Sequence, residues 1–238
     1  MAVIKEVRVF SLKRGGGHAV CEHVIGHVYN EMSEEAINEP GRYFVHLADL
    51  DLIPKVLPLA PRVHLQCLNY ENKRAILMDT ALMTRPVYGR DGIDIRPVVV
   101  LRDPYNWLSS VAKKKGQLWK TEEELIDWVS LWTLYARKFF IESVPGVFAL
   151  NFNKWYTDEK YRAEFSAFLG EPPTDNGRDR VRGQGASSFD GTLFDGDAHK
   201  MQVLDRWQLL DDSVKSVLPL FPELPELSRE IFQFTPAL

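Results

Sequence analysis

VRVFSLKRGGGHAV, residues 7–20, decides the fold. Val7 to Leu12 is a short, mostly apolar and β-rich run that reads as a buried strand. It passes directly into Lys13, Arg14, Gly15, Gly16, Gly17 and His18, and Ala19 to Tyr29 then has helical character. Strand, glycine-rich turn and helix is the arrangement that offers backbone N–H groups and a helix N-terminus to a phosphate. Three glycines allow close approach to an anion, with Lys13 and Arg14 adding charge beside it; the same residues would also make a plain tight turn. The pattern G-x-x-x-x-G-K-[ST] is absent, and with it the hydroxyl that holds Mg²⁺ in nucleoside triphosphatases.

Outward from this turn, the pattern repeats. Tyr43 to Leu47 and Val63 to Tyr70 read as strands separated by a Pro-punctuated segment, Pro54 to Pro61. Ile95 to Leu101 is apolar and β-branched, as strands covered on both faces are. It stops at Arg102-Asp103-Pro104, where Asp103 suits a helix cap and Pro104 the first turn of a helix running through Ser110. Thr121 to Glu124 forms a capping box ahead of Leu125, Trp128, Leu131, Trp132, Tyr135 and Phe139, whose spacing by three and four reads as a core-facing stripe. Gly146 to Phe152 predicts a strand, Thr157 to Leu169 a helix ending at Gly170, His199 to Leu220 a helix, and Pro222 to Phe232 a short closing helix. Thr174 to Gly196 is polar and glycine-rich, a stretch long enough to be functional. Strands alternating with helices predict one α/β domain over residues 1–238, three layers around a mostly parallel sheet of about four or five strands.

Composition narrows the function. The 238 residues are 45% hydrophobic and 26% charged, with 33 acidic against 29 basic side chains and a net charge of -4. A chain of this size buries roughly 70% of its unfolded surface and needs no metal or disulfide staple. Mild acidity argues against a general nucleic-acid binder, so any anion site must be local. Cys21 and Cys67 form no Cys-x-x-Cys pair and read as small buried hydrophobes. No uncharged apolar run approaches the ~18 residues of a membrane span, and Met1 to Leu12 lacks signal-peptide grammar, so the expected address is the cytoplasm. His23 and His27 lack a third ligand for zinc, Asp190, Asp195 and Asp197 lack the grammar of a calcium loop, and Lys113 to Lys115 reads as a solvated helix end. No metal site is expected.

Leu101-Arg102-Asp103-Pro104, with Ser110 eight residues after the arginine, resembles the 3′-phosphate motif of the sulfotransferases that use 3′-phosphoadenosine 5′-phosphosulfate (PAPS). The first loop is then similar to that family's 5′-phosphosulfate loop, with Arg14 matching its basic residue and Gly16 its fixed glycine. It departs from the family at Leu12 and Lys13, where proline is common, at Gly15, where serine is usual, and at Gly17 and His18, which replace two hydroxyl residues. The basic, glycine-containing stretch Arg180 to Gly191, through Arg182 and Gly183, resembles the loop that closes over the nucleotide. The resemblance implies a P-loop-like sulfotransferase fold, PAPS as sulfonate donor without a metal, and a small-molecule or glycan acceptor. The nucleotide contacts it implies are Lys13, Arg14, Gly15, Gly16, Gly17, His18, Ala19, Arg102, Ser110, Arg182 and Gly183.

Sulfuryl transfer rests on positioning and on stabilising charge at the leaving phosphate oxygen; Arg14 and the turn amides suit that task. The acceptor also needs a base. Glu71, at the end of its predicted strand, is the leading candidate, with His64 and His18 as alternatives. Two rival classes remain open at this level: a P-loop kinase or hydrolase, and a nucleotide-binding regulatory or scaffold protein without turnover. The segment between Pro40 and Tyr88 is the expected source of the acceptor pocket.

Overall fold

The computed structural model describes residues 5–28, 44–47, 65–85, 92–114, 119–181, 189, 194 and 197–237. Its centre is a five-stranded sheet of β1 (Lys5–Ser11), β2 (Phe44–Leu47), β3 (Leu65–Glu71), β4 (Asp94–Leu101) and β5 (Phe148–Asn151). The spatial order is β2-β3-β1-β4-β5, and every neighbouring pair is parallel. Parallel neighbours need crossovers; described helices follow β1 (Gly17–Gly26) and β3 (Ala75–Met78) and lie between β4 and β5 (Pro104–Ala112 and Glu122–Tyr135).

Because side chains alternate along a strand, each strand divides its apolar residues between two faces. Val7 and Val9 of β1, Leu65 and Cys67 of β3, and Val98 and Val100 of β4 pack on one side. There they meet Val20, Cys21 and Val24 of α1 (Gly17–Gly26), and Phe165 and Leu169 of a later helix that spans Glu159–Leu169. Phe10, Leu68, Tyr70, Val99 and Leu101 point to the other side, against Trp107 and Leu108 of a helix over Pro104–Ala112 and Leu125 and Trp132 of one over Glu122–Tyr135. This is the expected three-layer α/β fold. Each fully buried Val, Leu or Phe contributes roughly 1.5–3 kcal/mol to holding the layers together.

In chain order the helices are α1, α2 (Ala75–Met78), α3 (Pro104–Ala112), α4 (Glu122–Tyr135), α5 (Phe152–Thr157), α6 (Glu159–Leu169), α7 (Asp212–Lys215) and α8 (Leu224–Phe232). Asp103 caps α3 by accepting from the Asn106 amide at 2.9 Å, with Pro104 in the first turn. The Thr121/Glu124 capping box starts α4. Two expected helices differ in detail: α1 ends at Gly26, and the run through Leu169 is split, with Asp158 serving as a new cap for α6.

The expected long helix over His199 to Leu220 is absent. Single turns at Ala198–Lys200, Arg206–Leu209, α7 and Leu218–Leu220 replace it. Asp211 holds its side chain against the Ser213 amide at 2.9 Å, restarting the chain as a cap, and Pro219 lies in the last turn. Cys21 and Cys67 are buried and form no disulfide. No described helix is long and apolar enough to cross a membrane.

Candidate functional site

The sheet order brings the ends of β3, β1 and β4 side by side, with Ser11 in register with Glu71 on one flank and Val100 on the other. At the end of β1, the Gly15 amide closes the turn onto the Leu12 carbonyl at 2.9 Å. Arg14 and Gly16 both adopt left-handed backbone, at φ 68° and 96°; for Arg14 this costs about 1–2 kcal/mol. A Cβ on Gly16 would lie 2.3 Å from the Phe152 ring, and one on Gly17 would lie 2.3 Å from Ser11 Oγ. Gly16 is therefore required by packing as well as by backbone angle, and Gly17 by packing.

Since α1 starts at Gly17, the amides of Gly17, His18 and Ala19 have no carbonyl one turn earlier to accept from them. They form the positive end of a ten-residue helix. The turn is clamped on both flanks. Asn72, just beyond β3, accepts from the Lys13 amide at 2.9 Å, and Trp107 of α3 donates its indole N–H to the Lys13 carbonyl at 2.9 Å. Lys13 itself is exposed and Arg14 half-buried.

Arg102 follows β4 and is only 3% exposed. Its Nη1 donates to Ser110 Oγ at 3.1 Å, so the strand-end arginine and the helix serine do meet. Nε and Nη2 are buried with no hydrogen-bond partner among the described residues. The guanidinium carbon sits 5.7 Å from the centre of the Phe152 ring, the same ring that abuts Gly16. Burial pushes the Arg102 pKa down to about 9; Asp103 opposes the shift, while the positive charges of Arg206 and Arg14 add to it. A buried cation with unsatisfied donors and cationic neighbours is costly unless an anion completes it.

Arg206 is the residue the sequence reading missed. It is 8% exposed, and its Nη1 reaches the same Ser110 hydroxyl at 3.3 Å. Its guanidinium lies 4.1 Å from the centre of the Phe189 ring, which also has Lys113 Nζ at 5.7 Å. Phe189 itself thus lies against Arg206, and Lys113, exposed at the end of the Pro104–Ala112 helix as expected, is in range of the same ring. Arg182 and Gly183 lie outside the described residues, as does His64.

Glu71 occupies the last position of β3, where its side chain is 12% exposed and 3.7 Å from Nδ1 of the 47%-exposed His18. Two of the three base candidates are therefore adjacent, at the rim of the glycine turn. His23 and His27 behave structurally. His23 Nδ1 accepts from the Trp155 indole at 2.9 Å and Nε2 donates to the Thr174 carbonyl at 2.7 Å, leaving no nitrogen for a metal. The arrangement can hold a phosphate at Arg102, Ser110 and Arg206, a second anionic group at the α1 N-terminus beside Arg14, and a nucleophile near Glu71 and His18. No protein-family model matches the sequence, and a comparison with curated proteins finds no match either.

Proposed function

We propose that the protein is a sulfotransferase that moves a sulfonate group from PAPS to a hydroxyl or amine of an acceptor, working in the cytoplasm and without a metal. The observation that carries this reading is Arg102: a fully buried guanidinium with two unpartnered donors, sharing the Ser110 hydroxyl with a second arginine. That pair suits a dianionic phosphate ester. It lies one aromatic ring away from a glycine turn that opens into a helix N-terminus, so two separate anionic groups of one nucleotide would each meet donors.

PAPS supplies a sulfonate whose sulfur bonds to the acceptor oxygen or nitrogen as its bond to the 5′-phosphate oxygen breaks, the electron pair staying on that phosphate. Arg102, Arg206 and Ser110 hold the 3′-phosphate and fix the register of the nucleotide. Arg14 and the amides of Gly17 to Ala19 stabilise the charge gathering on the leaving oxygen. Glu71 takes the acceptor's proton, with His18 close enough to pass it on to solvent. Lys13 adds long-range attraction for the polyanion.

Transfer of labelled sulfur from PAPS across a panel of hydroxyl and amine acceptors tests the proposal. It predicts acceptor-dependent release of adenosine 3′,5′-bisphosphate. Tight bisphosphate binding with no transfer to any acceptor class would favour a scaffold, and Mg²⁺-dependent cleavage of ATP would favour a kinase or hydrolase.

A further inference from the structure

Next to the glycine turn lies a cleft of ≈ 270 Å³ lined by Asn72, Arg74, Glu124, Asp127, Trp128 and Leu131. Asn72 joins it to the glycine turn. Asn72 follows Glu71 directly, accepts from the Lys13 amide and donates its own amide to the Ser11 carbonyl at 2.9 Å. On the opposite wall, Trp128 packs on Trp107 with ring centres 6.2 Å apart, and Trp107 in turn holds the Lys13 carbonyl. The cleft wall therefore begins one residue beyond Glu71 and is bonded directly to the glycine turn.

The lining has a particular chemistry. Trp128 belongs to the α4 stripe but is only partly buried, whereas Leu125, Leu131, Trp132 and Tyr135 around it are buried. It contributes an indole surface to the cleft. The remaining exposed groups are an amide, a guanidinium and two carboxylates. Glu124 Oε2 already accepts from the Thr121 amide at 3.4 Å, and Asp127 Oδ2 faces Arg74 Nη2 at 3.6 Å. Backbone amides hold the Glu124 carboxylate and Arg74 faces that of Asp127, which leaves donors and acceptors along a wall with a small net negative charge. The Arg74 contacts to Asp127, at 3.5 and 3.6 Å, are long enough for a bound hydroxyl to replace.

We infer that this cleft is the acceptor subsite and that its occupant is a neutral pyranose ring, the terminal sugar of a glycan or glycoside; the inference rests on the sulfonate-transfer reading. The C–H face of a pyranose stacks on an indole, and its hydroxyls both donate and accept, which matches carboxylates beside a guanidinium and an amide. A phenol or lipid would call for an apolar slot, and only Trp128 and Leu131 are apolar here. An acidic sugar would meet two carboxylates against one arginine. The volume lies just below the roughly 300–1,000 Å³ of drug-sized pockets and suits one ring rather than an extended chain.

Saturation-transfer NMR with methyl glycosides of glucose, galactose, mannose and N-acetylglucosamine, alongside p-nitrophenol and tyramine, tests the assignment on the whole chain. At least one glycoside should bind in the millimolar range, with Trp128→Ala weakening it tenfold or more and Asp127→Ala threefold or more. Both variants should keep the wild-type affinity for adenosine 3′,5′-bisphosphate, which also reports that they are folded; Asp127 is 71% exposed, so its removal does not threaten the core. Glycoside binding that ignores both substitutions, or signals from the phenol or amine alone, would overturn the saccharide assignment and leave the donor site standing. A wild type that takes glycosides but no bisphosphate would overturn the acceptor role together with the donor reading.

Discussion

Arg102 and Arg206 are poorly placed for stability and well placed for binding. Both point at Ser110 Oγ from within the protein, and two like charges there repel until an anion arrives. Arg102→Ala should weaken adenosine 3′,5′-bisphosphate binding by about 2 kcal/mol, roughly thirtyfold, the value of a charge-assisted contact to phosphate. Calorimetry should find the Arg206→Ala loss similar and the double variant non-additive, because the two share one hydroxyl and one ligand group. Arg102→Met should melt at or above the wild-type temperature while losing binding, since an apolar chain of similar length avoids the desolvation cost. A Met variant that melts well below wild type would mean that the guanidinium is structural. Glu71→Gln keeps the shape of the β3 terminus and removes the proposed base. It should lower turnover about 10²-fold or more with bisphosphate affinity unchanged; near-wild-type turnover would move the base to His18 or His64.

At the scale of elements, α3 links fold to the proposed site, because its cap and its second turn hold Asp103 and Ser110 in place. Asp103 accepts from the Asn106 amide and from the side chains of Asn106 and Asn153, all within 3.1 Å. Asp103→Ala should therefore cost about 1–2 kcal/mol in urea unfolding, the usual loss for a cap, with Asp103→Asn milder. An unchanged midpoint would show the cap to be dispensable. This element was legible in the sequence, since the β-branched run, the Asp-Pro pair and the arginine eight residues before Ser110 are local signals. The glycine turn was legible for the same reason, although its dependence on the Phe152 ring, 136 residues away, was not. Arg206 was missed because its neighbourhood misled. Val203, Leu210, Val214 and Val217 are buried at helix-like spacing, yet only Val214 lies in one of the short turns and the others fall between them, and that interruption comes from Asp211 and from tertiary contacts 96 residues apart.

Across the whole molecule, the placement of β1 between β3 and β4 is what assembles the site. Glu71, the glycine turn and Arg102 are distant in sequence and adjacent only through strand order, which no periodicity encodes. Ligands of open parallel sheets gather at this carboxyl edge, so the fold class points to this edge for the proposed site but says nothing of which side chains meet there. Beneath the sheet, His23 sets a global pH dependence. Burial, with a further push from His27, lowers its pKa to about 4 from 6.5. The unfolded chain then takes up a proton below pH 6.5 that the folded chain refuses until about pH 4. Stability is complete above 6.5 and falls across that window by about 3 kcal/mol. Urea unfolding at pH 7.5, 6 and 5 should show the decline, and His23→Gln should flatten it; an identical slope in that variant would assign the decline to other groups. The central claim, a 3′-phosphate site beside the glycine turn, is tested most directly by calorimetric titration of the wild-type chain with adenosine 3′,5′-bisphosphate and with adenosine 5′-monophosphate. Two arginine contacts of about 1.5–3 kcal/mol each predict a bisphosphate affinity at least 100-fold higher; equal affinities for the two nucleotides would contradict it.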